Sequence, residues 1–446
     1  MSSYLIKNPT IVNEGKTFIA DVYINNGRIE KIGSDLTVEN AEIIDAEGLH
    51  LFPGMIDDQV HFREPGLTYK ADIESESKAA VMGGITSYME MPNCTPPTVT
   101  IEKLNDKKAL GAQKSHANFA FYLGATNDNV SELQRLKPSD ACGVKIFMGA
   151  STGNMLVDNQ KTLEGFFENC PILIATHCED TPMIAANEKR YKEQYGENMP
   201  FDLHAEIRSR EACLKSSNLA VALAKKFNSK LHVLHITTQD ELAQFKTDLP
   251  LHQKRITAEV CAHHLFFSRK DYQTHGALIK CNPSVKEESD RLALLKAVNE
   301  NVIDVIATDH APHTWAEKSG SYFKAPSGLP LVQDAFLSLL EHYHKGVFTL
   351  EKIVQKTAHA PAIVYQVKER GFIREGYFAD LVLVNLNAKN MRLDAKAKYK
   401  CGWTPFNGAV FSSNIEKTFV NGVLKYADDK IVSDQKGEAL AFSHAF

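Results

Sequence analysis

Along the first fifty residues, short apolar segments alternate with turn signals. In "TFIADVYINNGRIEKIG" the tripeptide Asn25-Asn26-Gly27 separates two strand-like runs, which predicts a small antiparallel sheet. From about Leu51 the texture changes to apolar strands followed by helix-like stretches such as "DIESESKAAVMGG" and "AEIRSREACLKSSNLAVALAKKF". This is the rhythm of repeated β-α units, and it runs to roughly Tyr365. Beyond it, "FADLVLVNLN" and "IEKTFVNGVLKY" return to short strands around an Asn-Gly turn, matching the N-terminal texture. The simplest architecture is one α/β barrel whose two flanking segments join into a composite β domain.

Composition narrows the class. A chain of 446 residues is too long for one ordinary compact domain, but a barrel with a satellite domain accounts for it. Hydrophobic residues at 43% and charged residues at 24% are the mix of a soluble globular protein, and a net charge of -5 argues against a general nucleic-acid binder. The start, "MSSYLIKNPTIVNEGK", has no signal-peptide pattern, and no run approaches ~18 uninterrupted apolar residues, so the expectation is a cytoplasmic protein that does not engage a membrane. The 8 cysteines are scattered without a CxxC pair, which signals neither a zinc ribbon nor a disulfide framework.

Five apolar strand candidates each finish in a residue able to bind a metal or move a proton. They are "LFPGMIDDQVHF" with His61, "CGVKIFM" with Lys145, "PILIATH" with His177, "KLHVLH" with His235 and "VIDVIATDH" with Asp309. Their spacing suits about three, one, one and two β-α units of roughly 30 residues or somewhat more. In a parallel barrel the C-terminal strand ends form the mouth, where function sits. Taken singly, each residue has a plainer explanation. A histidine on an apolar strand is more often a hydrogen-bonded core residue, a strand-end lysine snorkels into solvent, and Asp309 could cap the next helix. The pattern carries what its members do not, because three imidazoles, a carboxylate and a costly lysine at successive strand ends make an improbable accident. Imidazole nitrogen and carboxylate oxygen are also donors that Zn²⁺ accepts.

The motifs "HFREPG", "MPNCTPPT", "GVKIFMGAS", "HCED", "EVCAHHLFFS", "KCNPSVKEESDR" and "TDHAPH" follow one another in a known order. On them the chain resembles the amidohydrolase superfamily and, within it, dihydroorotases of the long, type I kind, over essentially its whole length. The resemblance implies a (β/α)8 TIM-like barrel over 53–370, with a small β-sandwich domain built from both termini, 1–52 and 371–446. It implies interconversion of N-carbamoyl-L-aspartate and L-dihydroorotate in pyrimidine biosynthesis, with one or two Zn²⁺ per subunit. His177 and His235 would hold one zinc, and Lys145, carboxylated by CO₂, would bridge two. His61 and Asp309 would belong to the second site, Asp309 also shuttling the proton to the leaving nitrogen. Arg63, Asn93 and His313 match positions that grip the substrate carboxylate, and Asn282 matches a substrate-contacting position. Read without the resemblance, Arg63 could pair with Glu64, Asn93 could shape its Pro-rich turn, and His313 could cap "TWAEKSG". His263 and His264 fit the family motif as supporting residues, whereas His204, His232 and His252 match nothing. A homodimer and association with aspartate transcarbamoylase are partners that the family allows.

One position departs from the pattern. The family has His-x-His after the first strand, and here Gln59 stands at the first histidine. Period two keeps Gln59 on the same face as His61, but a neutral amide oxygen is a weaker donor to zinc than imidazole. Three outcomes follow: a weakened second metal, a single zinc on Lys145, His177 and His235, or a chain that has lost catalysis and serves as a scaffold. The other reading is a hydantoinase or allantoinase, for which a carboxylate clamp would be wasted. The segment "APHTWAEKSGSYFKAPSGLP" is rich in Gly, Ser and Pro, which predicts a mobile loop over the mouth.

Overall fold

Two Asn-Gly turns, one toward each end of the chain, shape the outer part of the fold. Asn26 and Gly27 take φ of 49° and 83°, the pair of positive values that a type I′ loop requires, and join the antiparallel strands Asp21–Asn25 and Arg28–Gly33. Asn421 and Gly422 repeat the device at 51° and 70° between Asn414–Val420 and Val423–Ala427. The turns meet: a Cβ on Gly422 would stand 2.6 Å from the Gly27 Cα, so glycine is needed here for close approach as well as conformation. The computed structural model describes residues 3–149 and 155–443.

Four N-terminal strands form one sheet in the order Arg28–Gly33, Asp21–Asn25, Tyr4–Lys7, Glu42–Asp45. A seven-stranded sheet draws on both ends of the chain, with Leu381–Asn385 docked antiparallel on His50–Pro53 at its middle. Ile6, Ile11, Val22, Ile24, Leu51, Leu381 and Phe419 fill the space between the sheets. The result is a β-sandwich, and it is not purely antiparallel: Tyr4–Lys7 pairs with Glu42–Asp45, and Thr10–Asn13 with His50–Pro53, in parallel. Alternation of apolar residues shows that a strand has a buried face; it carries no trace of which distant segment lies alongside.

Between the sandwich segments, eight parallel strands pair in chain order: Met55–Val60, Ile85–Glu90, Asn118–Phe121 with its continuation Leu123–Gly124, Val144–Phe147, Ile174–His177, Leu231–Val233, Ile256–Cys261 and Val305–Ala307. The ring closes where the His61 N–H donates to the His310 carbonyl at 2.7 Å and Val60 bridges His310. With both faces covered, these strands read as near-continuous buried runs. The helices outside are cut by identifiable caps. Asp72 accepts from Ser75 N at 2.8 Å to start Ile73–Met82. The stretch "AEIRSREACLKSSNLAVALAKKF" is two helices rather than one, His204–Ile207 and Arg210–Phe227, because Ser209 is extended and caps the second. The C-terminal tail returns to the barrel: Phe119 N donates to Glu438 O at 3.0 Å and Leu440 N to Phe119 O at 2.8 Å. No helix among the described residues is long and apolar enough to cross a membrane.

Candidate active site

All nine residues singled out above line one cavity of about 280 Å³: His61, Arg63, Asn93, Lys145, His177, His235, Asn282, Asp309 and His313. The barrel brings them there from seven of its eight strands or the loops that follow them. His61 follows the first strand, His177 ends the fifth, and His235 and Asp309 lie just beyond the sixth and eighth. Lys145 sits inside the fourth strand rather than at its end, and its long stem carries the amine to the cavity. The strand ends bend sharply: Arg63, His235 and Asp309 have φ of 68°, 40° and 52°, a left-handed backbone that non-glycine residues keep only where surroundings enforce it. Ala150 and Ser151 of the "GVKIFMGAS" motif lie outside the described residues.

Within the cavity the donors face one another in two groups. His177 Nδ1 lies 3.0 Å from His235 Nε2, while His177 Nε2 lies 2.9 Å from Glu179 Oε2. Glu179 also pairs with Arg208. A histidine fixed on one nitrogen by a carboxylate presents the other as an oriented lone pair. Across the cavity, His61 Nε2 is 3.1 Å from Asp309 Oδ1, and His61 Nδ1 is 2.7 Å from Asn93 Oδ1. Gln59 turns toward the same carboxylate, its Nε2 donating to Asp309 Oδ1 at 3.0 Å, while its own Oε1 is buried without a hydrogen-bond partner.

Burial sets the charges. It pushes the Lys145 amine down to about 8, against the opposing pull of Asp309 and Glu259, so a fraction is unprotonated at neutral pH and able to react with CO₂. Burial lowers His61 and His177 and takes His235 well below the ordinary imidazole range, which leaves them neutral, the ligand form. These donors fit a metal: neutral imidazoles with facing nitrogens, a carboxylate, and an amine poised to become a second anion.

A cationic wall stands opposite. Arg63 Nη2 lies 3.1 Å from His313 Nε2, Arg63 Nε donates to the Pro312 carbonyl at 3.1 Å, and Lys70 Nζ donates to His313 Nδ1 at 2.9 Å. Burial lowers Arg63 only to about 10, so it keeps its charge, while burial, Arg63 and Lys70 hold His313 neutral. Asn282 Oδ1 is buried and has no hydrogen-bond partner. In the segment after Asp309, whose composition predicts a mobile loop, two lysines hold backbone carbonyls. Lys318 Nζ donates to the carbonyls of Pro326 and Gly328 at 2.9 and 2.8 Å, and Lys280 Nζ to those of Tyr322 and Ala325 at 2.7 Å each.

Several participants escaped the sequence reading. Asp57 holds Thr308 through Oδ2 at 2.6 Å and so sets the approach to Asp309. Glu179 lies inside the quoted "HCED" motif, two residues after His177, Phe147 lies inside "GVKIFMGAS", and Lys70 carries no motif signal at all. His264 Nε2 lies 3.1 Å from the Pro283 carbonyl, and His263 is buried beside it; neither lines the cavity. His204 pairs with Tyr322, and His252 stands at the surface.

Residues 50–425 match the Amidohydrolase family. A "Dihydroorotase" of Methanosarcina acetivorans is 32% identical over 441 residues, covering 96% of this chain and 92% of that protein. An "Allantoinase" of Solibacter usitatus is also 32% identical, over 448 residues, covering 99% of this chain and 97% of that protein. Among solved structures, an L-hydantoinase (dihydropyrimidinase) from Arthrobacter aurescens superposes with a TM-score of 0.93 at 24% identity, covering 99% of this chain and 100% of that one, a likeness in fold. From the full-length matches, and from a barrel whose mouth gathers imidazoles, a lysine and an aspartate, the chain belongs to the amidohydrolase family.

Proposed function

We propose that this chain is a dihydroorotase, a zinc-dependent cyclic amide hydrolase that interconverts N-carbamoyl-L-aspartate and L-dihydroorotate in pyrimidine biosynthesis. Family and relatives support cyclic amide hydrolysis in general; identity alone does not choose the substrate, because the dihydroorotase and the allantoinase are equally similar. The observation that carries the choice is the wall of Arg63, Asn93, Asn282 and His313 in the same cavity as Lys145, His177, His235 and Asp309. A buried guanidinium beside two side-chain amides is a receptor for a fixed carboxylate, which dihydroorotate has and hydantoin and allantoin lack.

His177 Nδ1, His235 Nε2 and a carboxylated Lys145 would hold one zinc, with His61 and Asp309 available to a second. When bound, zinc supplies Lewis-acid polarisation of the amide carbonyl and provides the nucleophile at neutral pH. The chain's own residues do the rest. Arg63 and the asparagines orient the substrate through its carboxylate. Asp309 accepts the nucleophile's proton and passes it to the ring nitrogen as the C–N bond breaks. In the synthetic direction it protonates the departing oxygen and relieves the attacking nitrogen of its proton. Gln59 Nε2 and His61 Nε2, both within 3.1 Å of Asp309 Oδ1, hold that carboxylate in place.

Turnover of dihydroorotate, hydantoin and allantoin by the purified, zinc-supplemented protein tests the assignment. The expected result is a kcat/KM for dihydroorotate that exceeds the others at least a hundredfold. Preference for either alternative, or no turnover of any, overturns it.

A further inference from the structure

Beneath the cavity, inside the barrel, lies a second cluster of metal-binding chemistry. Asp58, His232 and Glu259 come from the first, sixth and seventh barrel strands, and all three side chains are fully buried. His232 Nε2 is 3.1 Å from Asp58 Oδ2 and 3.7 Å from Glu259 Oε2, and the three donor atoms lie within 4.8 Å of one another. Apart from these contacts among themselves, both oxygens of Asp58, His232 Nε2 and Glu259 Oε2 have no hydrogen-bond partner.

The groups around the cluster are arranged as supports. His232 Nδ1 lies 2.7 Å from Thr257 Oγ1, and the Thr257 hydroxyl donates to the Leu231 carbonyl. Nδ1 must therefore carry a hydrogen, and Nε2 faces the two carboxylates. Glu259 Oε1 accepts from His235 N at 3.0 Å, which fixes that carboxylate and leaves Oε2 turned inward. The Tyr122 hydroxyl lies 2.8 Å from the Asp58 backbone carbonyl and 2.7 Å from the Tyr365 hydroxyl, and does not reach the Asp58 side-chain oxygens.

We infer that Asp58, His232 and Glu259 form a structural site for a divalent cation, zinc by its donor set, separate from the group at His177 and His235. Zinc bonds of about 2.0–2.2 Å place tetrahedral ligands roughly 3.3–3.6 Å apart, the interval that the 3.1 and 3.7 Å separations bracket. The second Asp58 oxygen supplies a fourth donor. Such an ion would tie together three strands that position Gln59, His61 and His235.

Anomalous diffraction from crystals of the full chain grown with zinc, recorded on both sides of the zinc edge, tests this. The expected map has a peak about 2 Å from His232 Nε2, distinct from any peak between His177 and His235. The inner peak should persist in Lys145→Ala, and Asp58→Asn should remove it together with one equivalent of zinc per chain by elemental analysis. Zinc-loaded native crystals with no inner peak overturn the inference, whether or not the variants fold. Loss of the outer peak alone would instead count against the proposed catalytic metal.

Discussion

Arg63 tests the substrate assignment most directly, because its charge is buried and its stem is clamped to the Pro312 carbonyl and His313. Truncating one partner of a buried, hydrogen-bonded charge pair costs about 2–5 kcal/mol. Arg63→Ala should therefore lower kcat/KM for dihydroorotate by roughly thirty- to several-thousand-fold, while leaving any residual hydantoin turnover within a few-fold. Equal losses on both substrates would mean that Arg63 shapes the mouth rather than gripping a carboxylate. Gln59 makes a second prediction. Its amide donates to Asp309 where a histidine would offer a lone pair, and its carbonyl oxygen is unpartnered. Gln59→His should add one equivalent of zinc per chain, measured by elemental analysis, with less than about a tenfold change in turnover. At this scale the sequence showed the ligand types, because strand-end histidines and a lysine stand out against apolar runs. It did not show Glu179 or Asp57 at work. Whether a carboxylate two residues along turns back to a histidine depends on how the strand end bends, and composition does not encode that.

At the scale of elements, two cases separate local from long-range information. The hairpins were legible because Asn-Gly fixes φ within two residues; the sheet order was not, because half the partners come from the far end of the chain. Asp21 shows what the distant pairings hold. Burial alone would raise its carboxyl, yet Lys7 Nζ at 2.5 Å and the N–H groups of Asn8 and Leu36, each at 2.9 Å, hold it below the ordinary 3.8. A depressed folded-state pKa contributes stability above the unfolded value and loses it as pH falls through the folded one. Asp21→Asn should thus be destabilised by about 1–3 kcal/mol at pH 7, and denaturant melts should show the gap to native shrinking as pH falls below the ordinary 3.8 toward the lower folded-state value. A gap independent of pH would assign the loss to geometry. The segment after Asp309 makes the opposite lesson. Its Gly, Ser and Pro content is that of a free loop, and only the fold reveals that buried Lys280 and Lys318 fasten its carbonyls. Lys318→Met strands those acceptors, at about 1–3 kcal/mol. It should speed proteolysis between residues 311 and 331 and raise KM while the barrel stays folded; unchanged cleavage would mean that the lysine does not hold the segment.

For the whole molecule, the question is what closes the end of the barrel away from the mouth. The chain runs out of the sandwich and back along the third barrel strand, where Ala439 bridges Phe119 and Gly437 N donates to the Ser115 carbonyl at 2.8 Å. There is no room for a side chain at that entry: a Cβ on Gly437 would sit 2.0 Å from the Ala117 carbonyl oxygen. The tail then buries Leu440 and Phe442 against Tyr122, Tyr365 and Val367, in the apolar cluster that also holds Ile56, Met89 and Ala175 from the barrel strands. Burying two such side chains stabilises by roughly 3–6 kcal/mol, and the tail's strand-edge hydrogen bonds add to it. Removing residues 437–446 should therefore lower the unfolding free energy by at least that amount, seen as an earlier midpoint in denaturant, while the zinc uptake and turnover proposed for the cavity, whose residues are held by strand ends at the opposite face, should match those of the full chain at 25 °C. If the shortened chain instead melts with the native midpoint, the tail is an ornament and the barrel is closed by its own side chains; if it folds with its stability but loses turnover, the tail acts on the mouth through the barrel interior, where Tyr122 donates to the Asp58 carbonyl and Asp58 meets His232.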